Sequence, residues 1–313
     1  MFDGDIATAP VPIPTIRMRR LRQHPQLREL VAEHRLSVKD LVLPLFIKEG
    51  KGVKLAISSM PGHYQFSVDQ LDDEIKALAD AQIPAVILFG VPNTNNKDGL
   101  GSSALTANGV VQQAIQKIKS LAANVLVIAD LCCCEYTDHG HCGVVIEKNG
   151  DFIVDNDQTL PLLAAQAVSL AQAGADVIAP SGMMDGMVKA IRHGLDQHGF
   201  TPIPILSYAV KYASGFYGPY RDAIGTASAL KGDKRTYQMD TANSDEALRE
   251  VELDILEGTD MVMVKPGMPY LDIIRRIKDE FALPTYAFQV SGEYAMMMAA
   301  AQNGWLDEKR IIL

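Results

Sequence analysis

Apolar runs and helical patterns alternate along most of this chain. Seven runs are almost continuously apolar, which is typical of strands buried on both faces: residues 41–47, 85–90, 125–131, 175–180, 203–209, 260–266 and 284–290. The segments between them carry apolar residues at helical spacing, at 68–82, 106–123, 160–174, 183–199, 244–258 and 270–281. This alternation predicts an α/β protein whose parallel sheet is covered by helices.

The number of repeats bears on how the sheet closes. Seven βα repeats favour a (β/α)8 TIM barrel over an open doubly wound sheet, and no GxGxxG turn follows the first predicted strand. The pattern ends in a helical segment, 306–313, with no eighth strand after it. We therefore expect a TIM barrel whose eighth βα unit is absent from this sequence. Such a barrel would leave sheet edges open.

An extended arm precedes the barrel pattern. Residues 1–25 contain Pro10, Pro12 and Pro14, which prevent a regular helix, followed by a run of arginines. Such a segment is either disordered or docked on something, for instance a neighbouring subunit. The predicted division is an arm at 1–25 and a barrel domain at 26–313.

Composition and charge narrow the class of partner. The chain has 313 residues, 48% of them hydrophobic, and a net charge of -9, which argues against nucleic acid or an anionic membrane as the main partner. It has no apolar run of about 18 residues and no signal-peptide pattern at its start. We expect a cytoplasmic protein.

The four cysteines form one cluster, at positions 132, 133, 134 and 142. Cys132, Cys134 and Cys142 offer three thiolates, and three protein ligands with one open position are typical of catalytic zinc. Inert buried thiols and a redox pair remain alternatives. Cys133 is expected to point away, because alternate residues of an extended segment face opposite sides.

Two lysines follow predicted strands. Lys265 lies in the apolar run MVMVKPG, and Lys211 follows the neighbouring predicted strand. A buried lysine beside a second ammonium has a lowered pKa and can form a Schiff base with a ketone. The alternative is that each lysine extends its charged tip into water.

A long loop lies between the lysines, and we interpret residues 211–240 as a lid. Its polar residues Arg221, Lys234, Arg235 and Gln238 are suited to hold a carboxylate. A solvated flexible loop is the alternative.

Five segments together resemble one known family, the porphobilinogen synthases or 5-aminolevulinate dehydratases. They are DLCCCEYTDHGHCG (130–143), KYASGFYGPYRDA (211–223), GTDMVMVKPGMPY (258–270), APSGMMDGMV (179–188) and QVSGEYAM (289–296). The resemblance extends over essentially the whole chain. It implies a hydro-lyase of tetrapyrrole (haem) biosynthesis that condenses two 5-aminolevulinate molecules into porphobilinogen, with loss of two waters.

The resemblance also implies roles for individual residues. Lys265 would form a Schiff base with the substrate that supplies the propionate arm, Lys211 would hold the second substrate, and Asp130 would lie near the metal. The implied zinc ligands are Cys132, Cys134 and Cys142, as in the zinc-dependent branch. The implied substrate contacts are Arg221, Lys234 and Gln238 for the second substrate's carboxylate, Ser291 for the first substrate's, and Tyr217 and Tyr220 in the closed lid.

Other features of the family concern assembly and departures from its pattern. Members commonly form octamers in which the arm embraces a partner subunit, and some bind an allosteric magnesium, for which Glu250 is the matching residue. Lys234 stands where the family often has arginine. Members also continue past the position of Leu313 into an eighth strand with a substrate-binding tyrosine, which this sequence lacks.

Two other functions remain open on the residues alone. A class I aldolase would use a barrel lysine without a metal, and the cysteine segment argues for the zinc enzyme instead. An inactive barrel that serves as a binding module would leave Lys265 unreactive toward 5-aminolevulinate.

Overall fold

A computed structural model of the chain describes residues 14, 16–121, 124–148, 151–224, 230 and 232–312. It divides into two compact units, Met1–Ser37 and Val38–Leu313. Most of the predicted arm, residues 1–13 and 15, and part of the predicted lid, residues 225–229 and 231, lie outside the described residues.

Two short helical elements lie in the part of the first unit that the structure describes. A 3-10 helix spans Met18–Arg22, and helix α1 spans Pro25–Leu30. Helix α1 begins there because Pro25 fits the first helical position and the His24 imidazole accepts a hydrogen bond from the Gln26 amide at 3.1 Å. The proposed contact of the arm with another subunit stays a prediction.

The second unit is built on parallel strands separated by helices. The strands are β1 Val42–Lys48, β2 Lys54–Ala56, β3 Tyr64–Phe66, β4 Ala85–Val91, β5 Leu126–Leu131, β6 Val144–Lys148, β7 Asp151–Asp155, β8 Val177–Pro180, β9 Leu206–Lys211, β10 Met261–Lys265 and β11 Thr285–Ala287. The helices are α2 Asp72–Asp80, α3 Val110–Leu121, α4 Asn156–Gln172, α5 Met187–Gln197, α6 Gly218–Ala223, α7 Glu246–Glu257, α8 Leu271–Phe281, α9 Ser291–Gln302 and α10 Glu308–Ile312.

Seven of the described strands follow one another side by side in parallel. The order is β1, β4, β5, β8, β9, β10 and β11, with β8 joined to β9 by a parallel bridge between Ile178 and Ile205. The seven predicted repeats are therefore present. The structure adds two antiparallel pairs that the patterns did not predict, β2 with β3 and β6 with β7.

The strands curve around a common interior. Alternate side chains of the seven strands meet in one apolar cluster, to which the first strand contributes Phe46, the central ones Ile128 and Ala179, and the last two Met263 and Tyr286. Residues of opposite parity, such as Leu88 and Val127, pack outward against the helices. This two-sided burial explains why the strand segments are almost continuously apolar.

The carboxyl ends of the strands point to one edge, which places the site. Asp130 on β5, Lys211 on β9 and Lys265 on β10 lie at or next to the last residue of their strands. In a barrel, side chains at these positions share a single mouth. Among the described helices, none is both long and apolar enough to cross a membrane.

Candidate active site

The two lysines face each other because of strand register. Lys211 on β9 is the direct partner of Lys265 on β10, and both side chains are buried. The Lys211 Nζ donates a hydrogen bond of 2.5 Å to the Ser181 carbonyl, just after β8. The sequence predicted Lys211 beyond the end of its strand. The structure instead extends β9 to Lys211 itself.

Aromatic rings enclose the Lys265 amine. Its Nζ lies 4.0 Å from the ring centroid of Phe288 and 5.1 Å from those of Tyr208 and Tyr220. Burial lowers the pKa of Lys265 to about 7, and the neighbouring Lys211 ammonium acts in the same direction. Near neutral pH a substantial fraction of this amine is therefore unprotonated and nucleophilic.

Asp130 is a carboxyl group that holds its proton unusually tightly. Burial raises its pKa to about 7, and the negative charge of Glu135 adds to that rise, against the opposing effect of the two lysines. The Ser181 hydroxyl donates to Oδ2 at 3.2 Å, whereas Oδ1 makes no hydrogen bond to a described residue. A carboxyl group with such a pKa can both accept and donate a proton near pH 7.

The loop after β5 folds back and brings three thiols together. The amides of Tyr136 and Thr137 both donate to the Cys133 carbonyl, and Gly140 takes a positive φ of 73°, so the chain reverses. The sulfur atoms of Cys132, Cys134 and Cys142 then lie within 4.8 Å of one another, all buried.

This thiol cluster has the donor set of a metal site. Hydrogen bonds from the other two thiols hold the pKa of Cys142 well below its usual range, and the Lys234 ammonium, 3.3 Å from its sulfur, favours the thiolate as well. Three converging soft ligands fit zinc with one position left for a further ligand. The cluster can thus bind a metal ion.

Cys133 and the two nearby histidines lie outside the thiol cluster. Burial raises the pKa of Cys133 to about 12, which makes it an inert thiol. The His139 Nε2 lies 3.1 Å from the Gly99 carbonyl oxygen, and the His141 Nδ1 lies 3.1 Å from the Tyr237 hydroxyl. These contacts orient both imidazoles toward neighbouring loops.

The described part of the lid covers the lysines. A 3-10 turn, Gly215–Tyr217, leads into α6, and the Tyr220 hydroxyl donates to the Glu135 carboxylate at 2.6 Å. This segment packs on the start of α9, where a Cβ at Gly292 would lie 2.4 Å from the Phe216 carbonyl oxygen. Only glycine leaves room for that approach.

The predicted carboxylate-binding residues separate into two groups. Arg221, Lys234 and Gln238 line the same pocket as the two lysines. Arg235 does not, because its side chain is 81% exposed and pairs with Asp233 at 3.7 Å. Ser291 is buried at the first position of α9, and its hydroxyl makes no hydrogen bond to a described residue.

Glu250 lies away from this pocket, on α7. It is half-buried, and burial together with the nearby Asp185 and Glu246 raises its pKa. The described residues around it do not form a group of three or more close metal-binding side chains.

Beside Phe288, whose ring is described above, three further residues that the sequence did not single out belong to the site. Glu135 and Ser181 line the pocket, and the ring centroid of Tyr208 lies 5.6 Å from Lys211 Nζ and 5.1 Å from Lys265 Nζ. Glu135 and Ser181 fall inside segments that carry the family resemblance. Tyr208 could have been found from its position, three residues before Lys211 in an apolar strand.

A family model described as delta-aminolevulinic acid dehydratase matches residues 15–313. Among curated proteins, the delta-aminolevulinic acid dehydratase of Synechocystis sp. is 56% identical over 302 residues, covering 96% of this chain and 91% of that protein. The enzyme of the same name from Halalkalibacterium halodurans is 54% identical over 297 residues, covering 95% of this chain and 88% of that protein.

A solved structure shows the same fold. It is the Toxoplasma gondii ME49 delta-aminolevulinic acid dehydratase (porphobilinogen synthase) in complex with the reaction product porphobilinogen. It superposes with a TM-score of 0.92 at 42% identity, covering 96% of this chain and 84% of that one. The predicted TIM-barrel fold is confirmed by this match.

Proposed function

This chain belongs to the delta-aminolevulinic acid dehydratase family of hydro-lyases, and we propose that it condenses two molecules of 5-aminolevulinate into one porphobilinogen and two waters. The observation that carries the proposal is the pair of buried lysines, in direct register at the mouth of the barrel. An isolated binding module has no need for two adjacent buried amines, whose burial is costly.

Lys265 is the covalent nucleophile. Its unprotonated Nζ adds to the ketone carbon of one substrate, and loss of the ketone oxygen as water leaves an iminium ion. The ring faces of Phe288, Tyr208 and Tyr220 suit that cation. Asp130 is placed to take and return the protons that these steps move.

Lys211 holds the second substrate beside the first. Its amine is fixed by the Ser181 carbonyl and points into the same pocket. Two substrates that are held on neighbouring strands no longer need to meet by diffusion, which lowers the entropic barrier to joining them. The resemblance favours a second Schiff base at this residue.

Polar residues of the lid and of α9 select the two carboxylates. Arg221, Lys234 and Gln238 hold that of the second substrate, because they line the lysine pocket. The Ser291 hydroxyl, which has no hydrogen-bond partner among the described residues, donates a hydrogen bond to the carboxylate of the first substrate. Tyr217 and Tyr220 close the pocket, and Tyr217 donates to the Lys265 carbonyl at 3.3 Å.

Cys132, Cys134 and Cys142 hold a zinc ion, because their converging thiols fit that metal. When bound there, zinc supplies Lewis-acid chemistry beside the second substrate. Lys234, next to Cys142, offsets the negative charge of the thiolates.

The remaining assignments concern the location of the enzyme in the cell, its oligomeric state and a second metal site. We place the enzyme in the cytoplasm as a homo-oligomer, an octamer in the family pattern, with the arm contacting a partner subunit. We assign Glu250 to an allosteric magnesium on the resemblance alone.

Borohydride trapping tests the proposal. Reduction in the presence of 5-aminolevulinate should add one substrate irreversibly to Lys265, read by peptide mass spectrometry, and purified enzyme should form porphobilinogen. A folded, zinc-loaded sample without an adduct on Lys265 would contradict the proposed chemistry.

A further inference from the structure

A buried carboxylate, Glu293, binds two separate segments of the main chain. It is 0% exposed and lies in the first turn of α9. Its Oε1 accepts from the Met268 amide at 2.6 Å, and its Oε2 accepts from the Val290 amide at 2.6 Å and from the Gly267 amide at 3.3 Å. Both oxygens therefore accept hydrogen bonds from the main chain.

The two segments carry groups of the active site. Gly267 and Met268 lie in the turn that directly follows Lys265 and Pro266. Val290 lies between Phe288, whose ring approaches the Lys265 amine most closely of those described, and Ser291. The Phe288 amide also donates to the Val264 carbonyl at 3.0 Å, so the two segments run side by side.

Helix capping explains only one of these three bonds. A glutamate at the third position of a helix commonly accepts from the amide just before that helix, which is the bond to Val290. The bonds to Gly267 and Met268 reach the turn that follows β10, which lies outside this helix cap. A carboxylate suits this place because it is acceptor-only, whereas a glutamine would turn an amino group toward one of the amides.

We propose that Glu293 is a positioning residue for Lys265: it holds the turn after β10 against the segment of Phe288 and Ser291, and so keeps the amine inside its aromatic enclosure. The inference rests on the proposed function, in which Lys265 is the nucleophile. It does not require Glu293 to touch substrate.

The test compares Glu293→Gln with a matched control, Asp254→Asn. Asp254 is also a buried carboxyl group on a helix, but its side chain accepts from the Ser207 hydroxyl at 2.6 Å and not from the amides of either segment described above. For both variants and the parent, we would measure the rate of borohydride trapping on Lys265 with 5-aminolevulinate across pH, together with thermal unfolding and zinc content.

Glu293→Gln is expected to slow trapping by about tenfold to a hundredfold at temperatures where it stays folded. The pH at half-maximal trapping should also rise, because a loosened turn admits water to the amine and weakens the burial that favours its neutral form. Lys211, Asp130, Glu135 and Cys134, the titratable neighbours that act on the pKa of Lys265, are unchanged. Asp254→Asn should lose stability but keep both the rate and the pH midpoint.

The outcomes separate this inference from the proposed function. If the parent is not trapped at Lys265, the proposed function fails and takes this inference with it. If the parent is trapped and Glu293→Gln matches it in rate and pH midpoint, or if both variants slow in proportion to their loss of stability, only this inference is overturned. Should Glu293→Gln not fold, Glu293→Asp, which keeps the charge on a shorter side chain, carries the same expectation.

Discussion

The two ends of the barrel differ in how completely their buried polar side chains are hydrogen-bonded. Where the strands begin, Asp176 accepts from the Val127 amide and from Lys119, both at 2.8 Å, and Asp260 accepts from the Ile205 amide at 2.8 Å. Where the strands end, side-chain atoms are left without a hydrogen-bond partner. Among the described residues there are six such buried atoms, and four belong to residues of the candidate active site, Asp130, Glu135, Tyr208 and Ser291.

We infer from this contrast that the first set of groups stabilises the fold, whereas the second set is available to bind a ligand. A buried polar atom without a hydrogen-bond partner lowers the free energy of unfolding by about 1–3 kcal/mol. A protein that keeps several such atoms in one place is therefore less stable than it could be. A bound substrate with carboxylate, ketone and amino groups would offer those atoms partners. Mutations where the strands begin should therefore lower mainly the stability of the protein. Mutations where the strands end should lower mainly its activity.

Replacing Lys265 should give the largest effect. Lys265→Met keeps the length of the side chain but removes the amine, and we expect porphobilinogen formation to fall by at least about a thousandfold. The melting temperature should stay the same or rise, because a buried amine no longer has to be accommodated. Activity and thermal unfolding measured on one preparation would check both. Activity within tenfold of the parent would show that Lys265 is not the nucleophile.

Replacing a cysteine of the thiol cluster should give the next largest loss of activity, and Cys133 offers a matched control. Cys134→Ala should remove bound zinc, measured per chain by metal analysis, and lower activity by about a hundredfold or more, because a ligand is lost. Cys133→Ala removes an equally buried thiol from outside the cluster and should keep the zinc. Equal zinc in the two variants would exclude the thiol cluster as the metal site.

Much of this site could be predicted from unusual residues in the sequence. The other site residues could not, because turns of the chain bring them into the pocket. Lys211 and Lys265 stand out because a lysine in an apolar strand is unusual, whichever way the strand is paired. Glu135 does not stand out, because its entry into the pocket depends on the turn at Cys133, which no periodicity reveals. Likewise, the predicted strand at 203–209 ended too early, since β9 continues to the polar Lys211 through pairing with β10.

At the opposite end of the barrel, where the strands begin, replacing an aspartate should change only the stability of the protein. Asp176→Ala leaves the buried Val127 amide and Lys119 without their acceptor, which should lower the free energy of unfolding by about 1–3 kcal/mol. Denaturant titration would measure this, and the turnover rate should stay within about twofold of the parent below the transition. A large loss of turnover in the folded variant would break the proposed division between the two ends.

The pH dependence of trapping should give the smallest and most specific effect. In the proposed mechanism Lys265 reacts as the neutral amine, and its pKa is lowered to about 7. The rate of trapping should therefore fall about tenfold for each pH unit below 7 and level off above it. Lys211→Met removes the neighbouring ammonium, which is the second cause of that lowering after burial. The pKa of Lys265 should then rise toward its ordinary value, and the trapping profile should move to higher pH. A profile that stays in place would mean that burial alone tunes the nucleophile, and that the register of the two lysines serves only to bring the substrates together.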